Sequence, residues 1–478
     1  MKSIILLIPC IFLTLLNVFS QNYHAVHGSS YAGALGVSNN PASIVNVSDA
    51  WDITPLSLQY EISTNAVSVL NYSLISSPKN SKYYIDNGNY SRYVSGNFNF
   101  RLFNTRVALD RRHAIAAGMN LRGNIHAKTG KYNFIDTVNT LRSFLKVNNE
   151  NQLLEGKFNT NSWLEVFGTY SQTMWDNEIS RLNGGITIKA MRGIAAAFGS
   201  LHNIGFTRIV QGNQPFYFLQ TGNTNYAYSA NLDKWQSRKS TSRNIQDVVV
   251  SAEGSIAFDI GMEYLIKSQA VNTFYDDDNY YDYEWKIGIS LLDIGSTHYR
   301  YSPQSRSIGS EKENVADRIL QRKFNAPSIP AFNDSIAGIF SNVQSLAVQF
   351  SVINPARLVV NVDRNLYDNF YLNGELSANL SALAGKEKLY ATQLNVLTIT
   401  PRWETRRYGV YLPVQFNAEN QFWVGMAFKA GPVLFGVHNL GNVVAKNKIQ
   451  NGGVYLAFSV RPGNRTKSFR DKRNNCPQ

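Results

Sequence analysis

The stretch HAIAAGMNLRGNIHAKTG (113–130) constrains the fold most, because its side chains alternate between two chemical classes. Apolar residues such as Ile115 and Met119 occupy the odd positions, while polar residues such as Asn120 and Arg122 occupy the even ones. A period of two places alternate side chains on opposite faces of a β-strand. The stretch therefore predicts one long strand with an apolar face and a polar face.

The same alternation recurs along the chain in roughly fourteen segments, a count that rests on period-two patterning. Clear examples are RLNGGITIKA, GSIAFDIGMEYLIKS, EWKIGISLL and FYLNGELSANL. The best segments reach about ten residues, whereas strands of soluble proteins average about 5–6. The chain from 51 to 462 is therefore expected to be all-β, a transmembrane outer-membrane β-barrel of about 14 antiparallel strands. Alternation alone leaves open an exported soluble β protein whose polar faces meet water.

The first twenty residues, MKSIILLIPCIFLTLLNVFS, have the pattern of a secretory signal peptide. Lys2 supplies the positive start, and the apolar run that follows is shorter than the about 20 residues that a spanning helix needs. Cleavage is expected after Ser20, which predicts export. With Cys10 in this segment and Cys476 near the end, the mature chain is expected to form no internal disulfide.

Five further regions depart from the strand pattern. Residues 21–50 are rich in Gly, Ser, Asn and Ala, which predicts a hatch-like segment inside the barrel. Residues 134–147 and 312–324 each place apolar residues on one helical face. They predict helical loop inserts, either as a cap on the barrel mouth or as partner-binding helices. Residues 205–251 indicate mainly long loops, and the basic tail 463–478 indicates a solvated end or a contact with an acidic partner.

The net charge and composition of the chain limit the classes of molecule that it is expected to bind. The chain carries a net charge of +13, yet only 17% of its residues are charged and 12% are aromatic. Export excludes nucleic acid as a partner, so outer-membrane lipid and the phosphates of lipopolysaccharide are the expected counter-charges. Abundant aromatics suit a large surface against lipid, with rings at both membrane interfaces.

No local motif predicts an enzyme. The seven histidines form no HExxH pattern, and the chain has neither a GxSxG element nor a phosphate-binding glycine loop. We therefore predict no catalytic residue, no metal and no cofactor. The acidic run FYDDDNYYDYEW fails the EF-hand spacing, and a solvated turn is favoured over a calcium loop or a divalent bridge to lipopolysaccharide.

The inward charges are the best site candidates. A Lys or Arg facing lipid at the bilayer midplane costs about 2–4 kcal/mol, so charges on the strands are expected to face the lumen. Either a structural ion-pair network or a lining that guides a solute explains them. An apolar pocket under the hatch, shaped by SSYAGALGV, would suit a hydrophobic solute. The predicted lumen-lining residues are Arg122, His126, Lys128, Asp259, Glu263, Lys267 and Glu375.

Three stretches carry a resemblance to known families. GVSNNPASI, with Asn40, Pro41 and Ala42, resembles the Asn-Pro-Ala element near the N-terminus of FadL-type and PorV-type outer-membrane barrels. Residues 398–416 and 429–441 resemble late segments of a Bacteroidota outer-membrane barrel family of unknown function. The resemblance implies a FadL-like barrel of about 14 strands with an N-terminal hatch in the bacterial outer membrane.

Two functions of different class follow from this resemblance. In the first, the barrel transports a small molecule past the hatch, with a hydrophobic compound as the ligand that some relatives take up. In the second, it is an interaction protein, a scaffold or shuttle for type IX-like secretion or surface assembly, with envelope proteins as partners. Long loops, helical inserts and the basic tail favour the second, and the fold is compatible with both. An exported enzyme is a more distant third alternative.

Overall fold

The computed structural model describes most of the chain. Its described ranges are 24–73, 81–148, 153–212, 214–267, 281–340, 342–385, 388–444 and 448–461. The predicted signal peptide, the basic tail and most of the acidic run at 274–285 lie outside these ranges.

Strands dominate the first part of the described chain, as the alternating segments predict. They are β1 (Trp51–Thr64), β2 (Val67–Leu70), β3 (Lys82–Ile85), β4 (Gly88–Ala108), β5 (His113–Phe134), β6 (Leu154–Asp176), β7 (Ser180–Gln211), β8 (Gln214–Tyr228), β9 (Gly254–Ile266), β10 (Trp285–Arg300) and β11 (Arg306–Ala316).

The second part continues in the same way with shorter strands. They are β12 (Asn342–Ser345), β13 (Gln349–Ile353), β14 (Arg357–Tyr367), β15 (Phe370–Asn379), β16 (Val396–Glu404), β17 (Tyr408–Tyr411), β18 (Val414–Asn417), β19 (Phe422–Val424), β20 (Met426–Ala430), β21 (Val433–Val437) and β22 (Asn451–Val460). The α-helices are α1 (Leu141–Val147), α2 (Thr241–Val250), α3 (Asp317–Lys323), α4 (Ile329–Ala337) and α5 (Gly441–Val444).

These strands close into a ring. Every neighbouring pair in it is antiparallel, and β22 closes the ring against β1, where Ser57 faces Ala457. β17 continues into β18 after a break at Pro413, and β19 continues into β20 after a break at Gly425, so each pair counts as one strand of the wall. The order is β1, β4, β5, β6, β7, β9, β10, β14, β15, β16, β17/β18, β19/β20, β21 and β22. The described residues thus form a closed 14-strand barrel, and the predicted strand number is confirmed.

Part of the wall is much taller than a membrane requires. β5, β6 and β7 contain 22, 23 and 32 residues, whereas about 9–11 residues of a tilted strand span the bilayer. The second half of β7, from Ala197 to Gln211, pairs with β8, and β8 pairs with β11. The prediction of mainly loops over 205–251 is therefore wrong for its first half, since alternating Asn and Tyr side chains support a sheet outside the membrane as well.

The two ends of the barrel differ. At one end five connections are tight turns, at 109–112, 177–179, 368–369, 405–407 and 431–432, and the longer connection 267–284 joins β9 to β10 at the same end. The opposite end carries most of the long connections, and we call it the long-loop end. α1 and α3 lie there and are shorter than the sequence predicts, because residues 135–140 form turns and residues 312–316 extend β11. The two helices pack together through Arg142, whose guanidinium donates to Asp317 at 2.6 and 2.7 Å, and we call this pair the helical cap.

The alternation predicted for the strands separates an apolar exterior from a polar interior. On β5, Ile115 and Met119 are exposed, whereas Asn120 is buried. On β7, Ile188 is exposed while Thr187 is fully buried. An exposed belt of large apolar side chains around a closed barrel is the surface that lipid requires.

None of the helices in the described ranges is long and apolar enough to span a membrane.

Candidate functional site: the barrel lumen

Residues 24–50, here the N-terminal segment, lie inside the barrel. Three short 3-10 helices form it: His24–Val26, Gly33–Ser38 and Pro41–Val45. The third helix begins where the side chain of Asn40 accepts from the backbone N–H of Ala42 at 2.9 Å. Asn40 is therefore an N-cap, and proline at the next position has the backbone angle that a first helical turn needs.

The Asn-Pro-Ala element sits against three glycines of the wall. Asn40 Nδ2 donates to the carbonyl of Met262 on β9 at 2.9 Å. A Cβ at Gly261 would lie 2.1 Å from Asn40 Oδ1, and one at Gly288 would lie 2.9 Å from Asn40 Nδ2. A Cβ at Gly185 would meet the backbone of Pro41 and Ala42 at 2.5 Å. Neighbouring strands thus lack side chains where the element approaches, and we call Gly185, Gly261 and Gly288 the glycine seat.

Buried arginines tie the segment to the wall from the other side. Arg106 Nε donates to Asp52 Oδ2 at 2.5 Å, and its Nη2 donates to the carbonyl of Asp49 at the same distance. Asp52 also accepts from the backbone N–H of Ala34 at 2.6 Å. Arg101 donates to the carbonyl of Leu35 and to Ser38 Oγ. These bonds satisfy backbone groups that would otherwise be buried without partners.

Further wall side chains bond the segment's backbone. Ser171 Oγ donates to the carbonyl of Ala42 at 3.1 Å, and Ser290 Oγ donates to that of Asn39 at 2.6 Å. The polar faces of β6 and β10 therefore also take part in holding the segment.

The apolar side chains of SSYAGALGV pack against the wall. Leu35 belongs to a buried cluster with Tyr411 and Tyr455, and Val37 belongs to another with Phe167. Gly33 adopts φ +59° beside Asp52, a conformation that L side chains rarely adopt. In the described residues this stretch forms part of a packed core, so it does not outline the apolar pocket that the sequence suggested.

A network of five charges lies on the wall beyond the segment, toward the long-loop end. Arg122 donates from both Nη atoms to Asp293, at 2.6 and 2.9 Å, and lies 3.4 Å from Glu165. Lys189 lies 2.8 Å from Asp259 and 2.6 Å from Asp293. These side chains come from five successive strands of the ring, so the network links a large part of the wall.

A second network lies on the opposite strands. Arg402 donates to both carboxylate oxygens of Asp363, at 2.5 and 2.7 Å, and also to Glu404. Glu404 accepts from Lys429 Nζ at 3.3 Å and from Ser29 Oγ of the N-terminal segment at 2.8 Å. This network therefore connects the wall directly to the segment.

Six of the seven predicted lumen residues lie on inner faces of strands. Arg122 and Asp259 belong to the first network. His126 is buried, Glu263 accepts from Asn183 at 3.3 Å, and Glu375 contacts His27 of the N-terminal segment at 2.7 Å.

The two predicted lysines lie toward opposite ends of the barrel. Lys128 is part-exposed near the long-loop end and pairs with Glu419 at 2.8 Å. Lys267 follows the end of β9 and pairs with Asp176 beside the turn 177–179, at 2.7 Å. Alternation gave Lys267 an inward direction, but β9 ends at Ile266, so its side chain lies at the rim.

A polar chamber lies between the N-terminal segment and the long-loop end. It consists of two small adjoining cavities, each with room for about one water molecule, that share Asn97 and Gln393. The β15–β16 loop bounds it from inside the barrel, where the carbonyl of Thr392 accepts from Asn124 Nδ2 at 3.0 Å. Amide side chains are its common feature, and we call it the amide chamber. They are Gln59, Asn97, Asn99, Asn124 and Gln393.

No group of three or more His, Cys, Asp or Glu side chains that could hold a metal ion occurs in the described ranges.

The sequence reasoning missed several residues that build the lumen. Gly185, Gly261 and Gly288 each stand on a polar strand face, and a glycine there signals a close approach of backbone. Arg402 and Glu404 lie two apart and therefore share one face of β16. Asp293 carried no such signal, because it sits at a bulge with φ +58° where the alternation of β10 changes register.

Three solved structures illustrate the similarity of the fold. A Pseudomonas aeruginosa FadL homologue matches at 9% identity, with 92% of this chain and 97% of that chain covered and a TM-score of 0.40. The Ralstonia pickettii toluene transporter TbuX matches at 12%, with 94% and 100% covered and a TM-score of 0.41. The P. putida toluene transporter TodX matches at 9%, with 90% and 94% covered and a TM-score of 0.39.

At such identities and scores no substrate can be transferred, and the barrel assignment rests on the closed ring of strands itself. No curated protein matches the chain. A family model does match, over residues 41–438, which include nearly the whole ring and start at the proline of the Asn-Pro-Ala element. The chain belongs to the family of unknown function DUF5723.

Proposed function

We propose that this chain is a non-enzymatic outer-membrane transporter in which the N-terminal segment acts as a hatch. The observation that carries the proposal is the way the segment fills the lumen. It is joined to the barrel chain only before β1, and its other contacts with the wall are non-covalent. Hydrogen bonds to Asn40, Ala42 and Ser29 can be exchanged for bonds to water when the segment moves.

The two ends of the barrel give the direction of transport. Outer-membrane barrels have short periplasmic turns and longer extracellular loops. The tight turns, and with them the start of β1 and the end of β22, are therefore assigned to the periplasm. A solute entering at the long-loop end meets the α1–α3 cap, then the amide chamber, and then the N-terminal segment. Outer-membrane lipid and lipopolysaccharide surround the barrel in this proposal.

A disulfide between the segment and the wall tests the hatch. Ser171 Oγ lies 3.1 Å from the carbonyl of Ala42, so Ala42→Cys with Ser171→Cys is expected to cross-link them. In a Cys476→Ser background, oxidation is expected to abolish channel openings in planar bilayers, and reductant is expected to restore them.

The matched control cross-links two wall strands and leaves the segment free. Thr169 and Thr187 are paired residues of β6 and β7 with hydroxyl oxygens 2.8 Å apart. Thr169→Cys with Thr187→Cys is expected to oxidise without changing conductance. Equal openings in the oxidised and reduced states of the segment-to-wall variant would contradict the hatch.

A scaffold or shuttle for secretion is the second candidate function, and the helical cap favours it. The cap joins α1 to α3 through the Arg142–Asp317 pair at the end that faces outward in this proposal. Native mass spectrometry of the protein extracted from its own membrane separates the two functions. A retained small molecule supports transport, whereas a stoichiometric envelope protein without a small ligand supports the scaffold.

A further inference from the structure

We infer that the connection between β8 and β9, residues 229–253, is a docking surface for the phosphorylated lipid A part of lipopolysaccharide in the outer leaflet. The connection contains a 3-10 helix (Ala230–Lys234) and α2, and we call it the β8–β9 arm. The inference goes beyond transport and rests only on the proposed outward orientation of the long-loop end. Three features of the arm carry it: its height on the wall, the side of the wall that it covers, and the chemistry of its exposed side chains.

Both ends of the arm are bonded to one level of β7. The backbone N–H of Ser229 donates to the carbonyl of Ala196 at 2.8 Å, and that of Gly193 donates to the carbonyl of Glu253 at 3.1 Å. The exposed apolar belt of the wall begins close to this level, since Ile256 of β9 follows directly after the arm and is 61% exposed. The arm is therefore held at the edge of the apolar belt, where an outer-membrane barrel meets the lipid head groups.

The arm covers the outer side of the wall. Trp163 faces the lumen, because its indole Nε1 donates to Glu165 of the first charge network at 2.9 Å. Ser162 precedes it and therefore faces outward, as does its partner Ala195 on β7. These two side chains are only 5% and 6% exposed, so protein covers them in place of lipid. Asn231 of the arm donates to a backbone carbonyl of β7 at 3.3 Å, which places the arm at this part of the outer face.

The basic side chains of the arm outnumber its acidic ones and remain open to phosphate. Each of the three acidic residues already has a partner: Asp233 accepts from Ser302 at 2.6 Å, Asp247 pairs with Lys239 at 2.8 Å, and Glu253 pairs with Arg300. Lys234, Arg238 and Arg243 are exposed and form no ion pair within the described ranges. Arginine binds phosphate oxygens through several N–H groups at once. The arm thus presents three uncompensated positive charges at the level of the head groups.

Exposed apolar side chains accompany these charges. α2 packs against β7 and buries Val248. Ile245 and Val250 of the same helix, and Trp235 before it, are 51%, 69% and 39% exposed. Basic and apolar side chains exposed on one element are typical of helices that lie in a lipid interface, where tryptophan is enriched. A soluble acidic protein would pair with the charges but leave these apolar side chains in water, which favours a phosphorylated lipid.

Competition between two forms of lipid A tests the surface. The intact protein in detergent is offered equal amounts of bisphosphorylated and monophosphorylated lipid A, and native mass spectrometry measures the ratio that it retains. We expect the wild type to prefer the bisphosphorylated form. Arg238→Gln combined with Arg243→Gln is expected to lower that preference about tenfold, because both variants remove a charge that attracts phosphate.

The matched control removes two arginines of α3. Arg318 and Arg322 are also exposed on a helix at the long-loop end and form no ion pair with any residue that the structure describes. α3 follows Ala316, whose level on β7 is that of Thr207, roughly 45 Å along the strand from Gly193 at about 3.3 Å per residue. Arg318→Gln combined with Arg322→Gln is therefore expected to keep the wild-type preference.

The heat-dependent shift of the barrel in SDS gels shows whether each variant is folded. If the double variant of the arm does not fold, Lys234→Gln takes its place and is expected to lower the preference measurably. Absence of a preference in the wild type, or an equal loss in the two pairs of arginine variants, overturns the inference. The hatch is tested separately, because the disulfide experiment measures conductance and its outcome does not depend on bound lipid A.

Discussion

The two halves of the lumen differ in what their charged side chains bond. In the half nearer the tight turns, Asp52 and Arg106 bond each other and the backbone of the N-terminal segment. In the half nearer the long-loop end, Arg122 and Lys189 both bond the carboxylate of Asp293 on the wall. The first arrangement holds the segment, whereas the second ties strands of the wall to one another. The contrast therefore separates a half that fixes the segment from a half that stiffens the wall.

Arg106→Met tests the half that fixes the segment most severely. Removing one partner of a buried ion pair costs about 3–5 kcal/mol, because it leaves an uncompensated charge. Here Asp52 would lose its guanidinium, and the carbonyl of Asp49 would lose its donor. We expect a large fall in the free energy of unfolding in urea, followed by tryptophan fluorescence. Arg407→Met, at an exposed position in the turn 405–407, should leave it nearly unchanged, and equal falls would contradict the assignment.

Gly261→Val tests the glycine seat. The new Cβ would lie within 2.1 Å of Asn40 Oδ1, so the Asn-Pro-Ala element has to move away from β9. Overpacking of this kind costs typically about 1–3 kcal/mol. We expect the N-terminal segment to become sensitive to protease in the folded barrel. Gly168→Val adds the same side chain at an outward position with no atom within 4 Å, and protease should not distinguish it from the wild type.

One substitution made in both halves sharpens the comparison. Asn40→Ala removes a helix cap, which costs about 0.5–2 kcal/mol, together with a bond to the wall carbonyl of Met262. Asn99→Ala removes an oxygen without a described partner, so its effect on stability is expected to stay within about 0.5 kcal/mol. Urea midpoints of the two variants measure the difference. If Asn99→Ala lowers the urea midpoint as much as Asn40→Ala does, the amides of both halves stabilise the fold equally and the comparison fails.

The sequence predicted the strands of the barrel wall better than the contacts inside the lumen. Strand number and the direction of each face followed from period-two patterning, a local property of the chain. The composition of residues 21–50 and their lack of that pattern predicted the N-terminal segment. The partners of the inward charges did not, because Arg122 and Asp293 are 171 residues apart and Asp293 sits at a bulge. Lys267 shows the same limit at a strand end, since alternation gives a direction but no boundary.

The glycine seat could be predicted only in part. Gly185, Gly261 and Gly288 were visible as gaps in three polar faces, but only the register of β7, β9 and β10 brings them together against Asn40 and Pro41. The amide chamber was harder to foresee. It depends on a loop between β15 and β16 that folds into the lumen, and the alternation on the strands does not predict where that loop lies.

The pair Lys128–Glu419 gives the smallest expected effect on stability. It lies near the long-loop end, where the lumen meets solvent. Its side chains are 39% and 27% exposed, so the ion pair is worth about 0.2–1 kcal/mol. Lys128→Gln should lower the urea midpoint slightly at low salt and not at all near 1 M salt, where the screening length is about 3 Å. The pair Arg122–Asp293 should keep its contribution at both salt concentrations, because its side chains are only 12% and 3% exposed and screening by salt is weak for buried pairs. A salt-independent loss for Lys128→Gln would place Lys128 in the paired interior instead of at the mouth.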